Sequence, residues 1–332
     1  MKKSSLQDMK THNRKLLLQT FLQENVISRI ELARKSGLSP STVTSLVGEL
    51  ISEGIVAESA VRMPTPGRSR TGLSICGDSG AVAVVSIGRS GTVICLYDMM
   101  LREKGRKTAS EILLNGNELL SAVCLCMNEF REEGMLPEEK VSGFGLLYDG
   151  DVRPSDCSVI YSTGFSSAPI SFKDALFTEF HAPVTEGTSE SITLLNSVPV
   201  KVRENENYAC VSVTEDMILA GVMIEGRPVR MRNGNFCDLM PAAEAFGEDG
   251  TGKTLLCRFA GTVNFLCTIF PISVVFVQGG ENLCRGWKKA ADEFLENTLK
   301  CRYRLRFEEI SGLNPDARSS LAEIVRTKAL LA

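Results

Sequence analysis

The strongest constraint in the sequence is a run of helix-boundary signals between Ser28 and Pro40. Ser28, followed three residues later by Glu31, forms a capping-box pattern that begins a helix. Gly37 supplies the left-handed backbone that ends this helix. Ser39 and Pro40 then begin another helix, because serine caps a helix start and proline fits its first position. The spacing therefore predicts two helices joined by a short turn.

The second of these helices, predicted over Pro40 to Glu53, has two different faces. Apolar residues recur at helical spacing and would pack on the domain: Val43, Leu46, Val47, Leu50 and Ile51. The other face has short hydrogen-bonding side chains, namely Ser41, Thr42, Thr44 and Ser45. A helix that enters the major groove of DNA needs an apolar back and a slim polar front. We therefore take these four residues and the capping Ser39 as candidate DNA-binding residues.

A helix and a β-hairpin flank this pair. Apolar residues between Asn13 and Glu24 follow a helical rhythm. Two strands are predicted over Ile55 to Ser59 and Thr71 to Ile75, and a basic tip that includes Arg68 and Arg70 joins them. Arginines on such a hairpin suit the narrow minor groove. The pattern predicts a winged helix-turn-helix, and the alternative is a three-helix protein-binding module whose polar face is only solvated.

The charge distribution separates this N-terminal region from the rest of the chain. Eleven basic and six acidic residues between Met1 and Gly72 give about +5, whereas the formal charge of the whole chain is −3. The remainder therefore has about −8. A basic module on an acidic body is typical of a protein in which one part contacts nucleic acid. We place the DNA-binding domain at residues 1–76.

The cysteines do not indicate a metal site. The chain has 11 cysteines and 2 histidines, without a Cys-x-x-Cys pair, whereas zinc sites normally have paired ligands at short spacing. We expect no metal and no disulfide framework, and we expect these cysteines to pack as small apolar residues in a reducing cytosol. The N-terminus does not resemble a signal peptide, and no apolar run approaches the roughly 20 residues of a membrane span. We therefore expect a cytoplasmic protein.

The remaining sequence reads as repeated α/β units. Buried strands are predicted at 81–87, 93–97 and 141–147, followed by a loop at 148–167, a helix at 171–180 and a short strand at 182–185. A similar series begins at Tyr208 and ends with a helix over Pro315 to Leu331. The predicted fold class is α/β, with the body divided into a first lobe at 77–195 and a second at 196–332.

The order of these features resembles the ROK family, which contains bacterial sugar kinases and transcriptional repressors. The resemblance is carried by the stretches Ile27–Val56, Pro66–Ile75, Val141–Leu195 and Ala209–Ala242. It is strongest to the repressor branch, in which a winged helix-turn-helix precedes a kinase-like body. The resemblance implies a two-lobed actin-like, ribonuclease H-like ATPase-type body.

The body departs from the kinase pattern at several positions. The family deprotonates the sugar with the Asp of a Glu-Asn-Asp segment, and Thr188 stands at that position here. A threonine hydroxyl at its ordinary pKa is a poor general base. The resemblance also aligns Glu186 and Asp238 with sugar contacts of the family, and the alternative is that both are ordinary loop carboxylates. No histidine accompanies Cys237, so we expect no structural zinc. Because Thr188 stands in place of the general base, we also expect no kinase activity, and no cofactor is predicted.

A second motif supports a different function. Residues 247–254, GEDGTGKT, fit the G-x-x-x-x-G-K-[ST] phosphate loop, with Lys253 and Thr254 as the candidate phosphate and magnesium contacts. The preceding PAAEAF makes a poor buried strand, so we favour a loop that caps a helix. The alternative is an active sugar kinase or NTPase.

The sequence thus predicts a transcriptional regulator, most simply a repressor linked to carbohydrate metabolism. Its partners would be a double-stranded DNA operator and a sugar or related effector. A homodimer is expected because one winged helix makes too few base contacts for operator specificity. A body without any ligand is a third reading.

Overall fold

The computed structural model describes residues 6–24, 26–63, 70–136, 141–149, 152–163, 166–189, 191–192, 198, 206–225, 227–229, 236–243, 254–297, 304–310 and 316–331. The chain divides into two compact units, one of residues 1–186 with 321–332 and one of residues 187–320. No helix among the described residues is long and apolar enough to cross a membrane.

The first unit begins with three helices and a two-stranded hairpin. The helices are α1 (Leu6–Gln23), α2 (Arg29–Ser36) and α3 (Pro40–Ser52), and the antiparallel strands are β1 (Val56–Met63) and β2 (Arg70–Ile75). Ile27 adds a bridge to this hairpin, since its backbone N–H donates to the Leu73 carbonyl at 2.9 Å and its own carbonyl accepts from Leu73 at 2.8 Å. The arrangement is the predicted winged helix-turn-helix.

The capping signals of the sequence set the helix boundaries. Ser28 caps α2 in a capping box with Glu31, and Gly37 ends the helix with a φ of 72°. Ser39 caps α3, and Pro40 lies at its start. The helices then pack through fully buried side chains, which include Leu17, Leu32, Val43, Val47 and Leu50. The predicted boundaries of α2 and α3 are thus confirmed. They could be predicted because helix capping depends on local backbone chemistry.

The first lobe of the body follows in the same unit. Its sheet has the order β5 (Glu103–Ser110), β4 (Gly91–Asp98), β3 (Ala81–Gly88), β6 (Val141–Tyr148) and β9 (Val184–Thr188). The β3–β4 and β4–β5 pairs are antiparallel, and β3 and β6 are parallel. Helices α4 (Gly116–Glu132) and α5 (Phe172–Phe180) contribute Val123, Phe130, Phe172 and Leu176 to its apolar core.

The C-terminal helix α9 (Ala317–Leu331) packs against β6 through two glycines. A Cβ at Gly143 would lie 2.6 Å from Val325 Cγ1, and one at Gly145 would lie 2.7 Å from Leu321 Cγ. Leu321 is fully buried. Glycine is therefore required at both positions so that the helix can approach the strand, which explains why residues 321–332 group with the first unit.

The second unit contains another mixed sheet. Its order is β12 (Arg227–Pro228), β11 (Ile218–Ile224), β10 (Tyr208–Val213), β14 (Val274–Gln278) and β15 (Arg306–Glu309), with β13 (Phe236–Asp238) also paired to β11. Strands β10 and β11 are antiparallel, whereas β10, β14 and β15 are parallel. Helices α6 (Met240–Ala243), α7 (Thr254–Ile269) and α8 (Trp287–Asn297) complete it.

Both sheets therefore begin with an antiparallel hairpin, whose first strand pairs in parallel with a later one. This internal repeat matches the predicted two α/β halves. Three parts of the first lobe differ from the prediction. Strand β5 was not predicted, and the predicted loop at 148–167 contains a short helix at Pro154–Cys157 and the start of a hairpin, β7 (Val159–Thr163) with β8 (Ser166–Ile170). Strand β9 is also longer than the predicted strand at 182–185.

Candidate nucleic-acid interface and candidate ligand residues

Helix α3 presents an exposed polar stripe. Ser41, Thr44, Ser45 and Gly48 are exposed, and their spacing of three, four and seven residues places them on one face. Thr42 is half-buried. The apolar face of the helix is buried, so the stripe lies on the side of α3 that faces solvent.

The hydroxyl groups at the start of α3 form a local network. The Ser39 hydroxyl accepts from the Thr42 backbone N–H at 3.2 Å and lies 2.9 Å from the Ser41 hydroxyl and 2.8 Å from the Thr42 hydroxyl. Thr44 Oγ1 donates to the Pro40 carbonyl at 2.8 Å. Each hydroxyl has two acceptor lone pairs, so these contacts orient the side chains without using their full hydrogen-bonding capacity.

Two ion pairs hold the back of α3 against α1. Lys10 Nζ lies 2.9 Å from Glu49, and Arg14 donates from Nη1 to Glu53 at 2.9 Å. The two cations are four residues apart in sequence, and so are the two acids. The two ion pairs are therefore about one helical turn apart. The hydrogen bond from Arg14 lowers the pKa of Glu53 below its usual value. The pairs also neutralise two carboxylates that would otherwise repel DNA phosphates.

The basic residues of the domain are not equally available. In addition to Lys10 and Arg14, Arg29 pairs with Glu58, and Lys35 pairs with Glu24. Among the cations in the described helices, Lys15 and Arg34 have no ion pair with a described residue. Arg34 is exposed on α2, and our sequence reasoning missed it because a charged residue on an amphipathic helix has no distinctive spacing.

The two predicted wing arginines are only partly visible. Arg68 lies outside the described residues, and Arg70 begins β2 with a side chain that is likewise outside them. Their proposed contacts with the minor groove stay predictions. The described part of the wing consists of the paired backbones of β1 and β2, with an irregular register between Ser59 and Arg62.

Glu186 and Thr188 lie on β9, with different surroundings. The Glu186 carboxylate is 3.8 Å from Lys173 Nζ. Thr188 Oγ1 accepts from the Ser191 backbone N–H at 3.3 Å, and the Ser191 hydroxyl donates to the Thr188 carbonyl at 2.9 Å. Thr188 therefore caps the turn that follows the strand. Neither side chain is fully buried.

Asp238 ends β13 and has a structural function. Its Oδ1 accepts from the Met240 backbone N–H at 2.9 Å and from the Ile218 backbone N–H at 3.3 Å. It thus joins the start of α6 to β11. These contacts favour the reading of Asp238 as a structural carboxylate. A contact of any of these residues with a sugar stays a prediction.

The phosphate-loop pattern at residues 247–254 stays a prediction. Residues 247–253 lie outside the described residues, and Thr254 begins α7. The segment 86–92, which the resemblance aligns with the phosphate loop of ROK kinases, forms the tight β3–β4 hairpin, in which Ser86 stands on a buried strand and Gly88 pairs with Gly91. Within the described part of the chain, no group of three or more His, Cys, Asp and Glu side chains is arranged to hold a metal ion.

Comparisons with known proteins agree with this description. Residues 10–57 match a winged helix-turn-helix DNA-binding family. A putative xylose repressor of Caldicellulosiruptor sp. (strain Rt8B.4) is 22% identical over 179 residues, which are 53% of this chain and 44% of that protein. The xylose repressor of Caldicellulosiruptor bescii is 32% identical over 80 residues, or 24% of this chain and 20% of that protein. The chain thus aligns with less than half the length of these relatives.

A solved structure extends the likeness to the whole fold. The crystal structure of a ROK family transcriptional regulator, a homolog of the E. coli MLC protein, has a TM-score of 0.62 and 15% sequence identity, and the match covers 97% of this chain and 98% of that one. The chain is therefore similar to the repressor branch of the ROK family, in which a winged helix-turn-helix DNA-binding domain is joined to a body with the ROK fold.

Proposed function

We propose that this protein is a transcriptional repressor that binds operator DNA through α3 and carries a body without kinase activity. The observation that supports this most directly is the exposed stripe on α3, on a folded winged helix-turn-helix. Ser41, Thr44 and Ser45 are short donors and acceptors, so they reach base edges or phosphates without blocking entry of the helix into the major groove.

The proposal that the body is not a kinase depends on Thr188. Phosphoryl transfer to a sugar hydroxyl needs a residue that accepts its proton. Thr188 already caps the following turn through its contacts with Ser191. None of these described contacts places a basic group beside the Thr188 hydroxyl, so the hydroxyl is a poor proton acceptor. The body would then act as a sensor and as the dimerisation element.

A homodimer would let two winged helices bind paired half-sites about one turn of DNA apart. The effector class is a sugar, with Glu186 and Asp238 as candidate hydroxyl acceptors. Xylose is the first sugar to test because two relatives are named as xylose repressors. Thermal unfolding across a panel of pentoses and hexoses would separate a sensor from a body that binds nothing.

A DNA titration tests the central claim. The full chain should bind duplex DNA with an affinity that falls steeply between about 50 and 200 mM salt. Ser41→Ala combined with Thr44→Ala should weaken binding to a selected operator by about tenfold or more, because base contacts contribute about 1–3 kcal/mol each. The matched control is Thr268→Ala in the second unit, an exposed helical threonine that should have no effect. Salt-independent binding, or no binding to any duplex, would contradict the proposal.

A turnover assay tests the alternative. Phosphorylation of any hexose or pentose from ATP, abolished by Lys253→Ala, would show that the phosphate-loop pattern is functional. No turnover with retained DNA binding is the expected result.

A further inference from the structure

The groove between α2 and α3 has a composition that base recognition by α3 does not explain. It has a volume of about 400 Å³, and its floor is apolar, formed by Ile30, Ala33, Leu38 and Pro40. Ile30 is 59% exposed, so much of its apolar surface is open to solvent in the groove. Thr44 of the exposed stripe also lines the groove, so the two surfaces are continuous.

The rim of this groove has two arginines, and only one of them has an ion pair with a described residue. Arg29 on the rim is paired with Glu58 at 3.2 Å. Arg34 is exposed, and it has no ion pair with any described residue. The carboxylate nearest along its helix, Glu31, accepts the hydrogen bonds of Ser28 in the capping box, and these lower its pKa more than the charge of Arg34 does. The groove therefore combines an apolar floor with a guanidinium group open to solvent.

We propose that this groove receives the sugar-phosphate backbone of a DNA strand that borders the major groove entered by α3, with Arg34 on a phosphate. The inference rests on the proposed function. A DNA strand alternates anionic phosphates with apolar deoxyribose faces, which matches a cationic rim over an aliphatic floor. In a helix-turn-helix the first helix crosses the backbone while the second lies in the groove, and α2 is in that first position. Arg34 thus fixes register, whereas α3 reads sequence.

Two substitutions test the proposal in the full chain with a labelled mixed-sequence duplex. Arg34→Ala should weaken binding by about tenfold and reduce the slope of log K against log salt by about 0.9, the value for one lost phosphate contact. Lys289→Ala removes the same charge from an exposed side chain of the second unit and should leave the slope unchanged. Ile30→Glu should weaken binding more than Ile30→Ser, because the carboxylate would face phosphates. Arg34→Gln, which also lacks the charge, should show the same reduced slope. Thermal unfolding midpoints equal to that of the unsubstituted chain would show that both Arg34 variants are folded, so that the weaker binding reflects a lost contact.

The outcomes are distinguishable. If the unsubstituted chain binds the duplex but Arg34→Ala keeps its affinity and slope, the groove assignment is wrong and DNA binding by α3 stands. If both Ile30 variants bind DNA normally, the groove fits a protein partner instead, and the assignment is again overturned. If the unsubstituted chain binds no duplex, the proposed function and this inference fail together.

Discussion

The tight turn between β4 and β5 should depend on one buried carboxylate, Asp98. The residue is 3% exposed, and its Oδ1 accepts from the backbone N–H groups of Met100 at 2.8 Å and Arg102 at 2.9 Å. These two donors flank Leu101, which has a left-handed φ of 63° that a leucine rarely adopts. The carboxylate thus holds a strained turn closed. The same turn supports the segment after β2, since the Met99 N–H donates to the Gly77 carbonyl at 3.0 Å.

The magnitude follows from the contacts that each variant removes. Asp98→Ala loses both backbone hydrogen bonds to a charged acceptor, at about 1.5 kcal/mol each, and an ion pair with Arg102 of at most about 1 kcal/mol, so the first unit should lose about 3–4 kcal/mol. Asp98→Asn keeps a carbonyl oxygen for both donors and loses the ion pair with Arg102, whose N–H donates to Oδ2 at 2.7 Å. Because the Arg102 side chain is 68% exposed, that pair contributes at most about 1 kcal/mol.

Thermal unfolding followed by far-UV circular dichroism measures the difference. For a unit of this size 1 kcal/mol corresponds to about 2–4 °C, so Asp98→Ala should lower the midpoint by about 6–16 °C and Asp98→Asn by no more than about 4 °C. Leu101→Gly is the complementary variant, because glycine adopts this backbone without strain, and it should be neutral or stabilising. Equal midpoints for the alanine and asparagine variants would refute the reasoning, since only the ion pair would then matter.

Three further predictions concern stability. Ser28→Ala should destabilise the winged helix by about 1 kcal/mol through loss of the α2 cap, whereas Ser28→Thr should keep it, as measured by urea unfolding. Because the hydrogen bond from Arg14 lowers the pKa of Glu53, this pair should contribute its full stability above the ordinary pKa of 4.5 and lose it as pH falls further. Arg14→Ala should therefore reduce the loss of unfolding free energy between neutral and acidic pH, and an unchanged pH dependence would contradict this reasoning. Leu321→Ala should cost about 2–5 kcal/mol because the side chain is fully buried, and hydrogen exchange should increase in α9.

The sequence was sufficient where a boundary depends on local chemistry. The starts of α2 and α3 follow from Ser28 and Ser39, whose hydroxyls accept backbone N–H groups within their own first turn. The sequence of β5, EKGRKTAS, has no alternation of apolar and polar residues that would predict a strand. The segment forms a strand because it pairs with β4. The β7–β8 hairpin was missed for the same reason, since the Ser-rich segment has no apolar alternation and forms through pairing across strands.

Tertiary contacts also decide which predicted site residues are available, and no spacing in the sequence encodes them. Asp238 was a reasonable sugar contact by resemblance, yet its Oδ1 holds β11 and α6 together. Thr188 was identified as the wrong residue for a base, and the structure gives it a capping function. A resemblance predicts that a position lies in a site, whereas the function of its side chain depends on the neighbours that use its lone pairs.

The charge of the winged helix illustrates the same distinction. The count of about +5 predicts affinity for DNA but treats every cation alike. In the folded domain Lys10 and Arg14 fasten α3 to α1, so their charges orient the recognition helix and are balanced by its glutamates. A phosphate contact is favoured for a cation that has no ion pair, and Arg34 has none with a described residue, although its charge acts through space on Glu31 of the same helix. The salt dependence of DNA binding should therefore follow Arg34 more than the paired cations, although all of them contribute equally to the net charge.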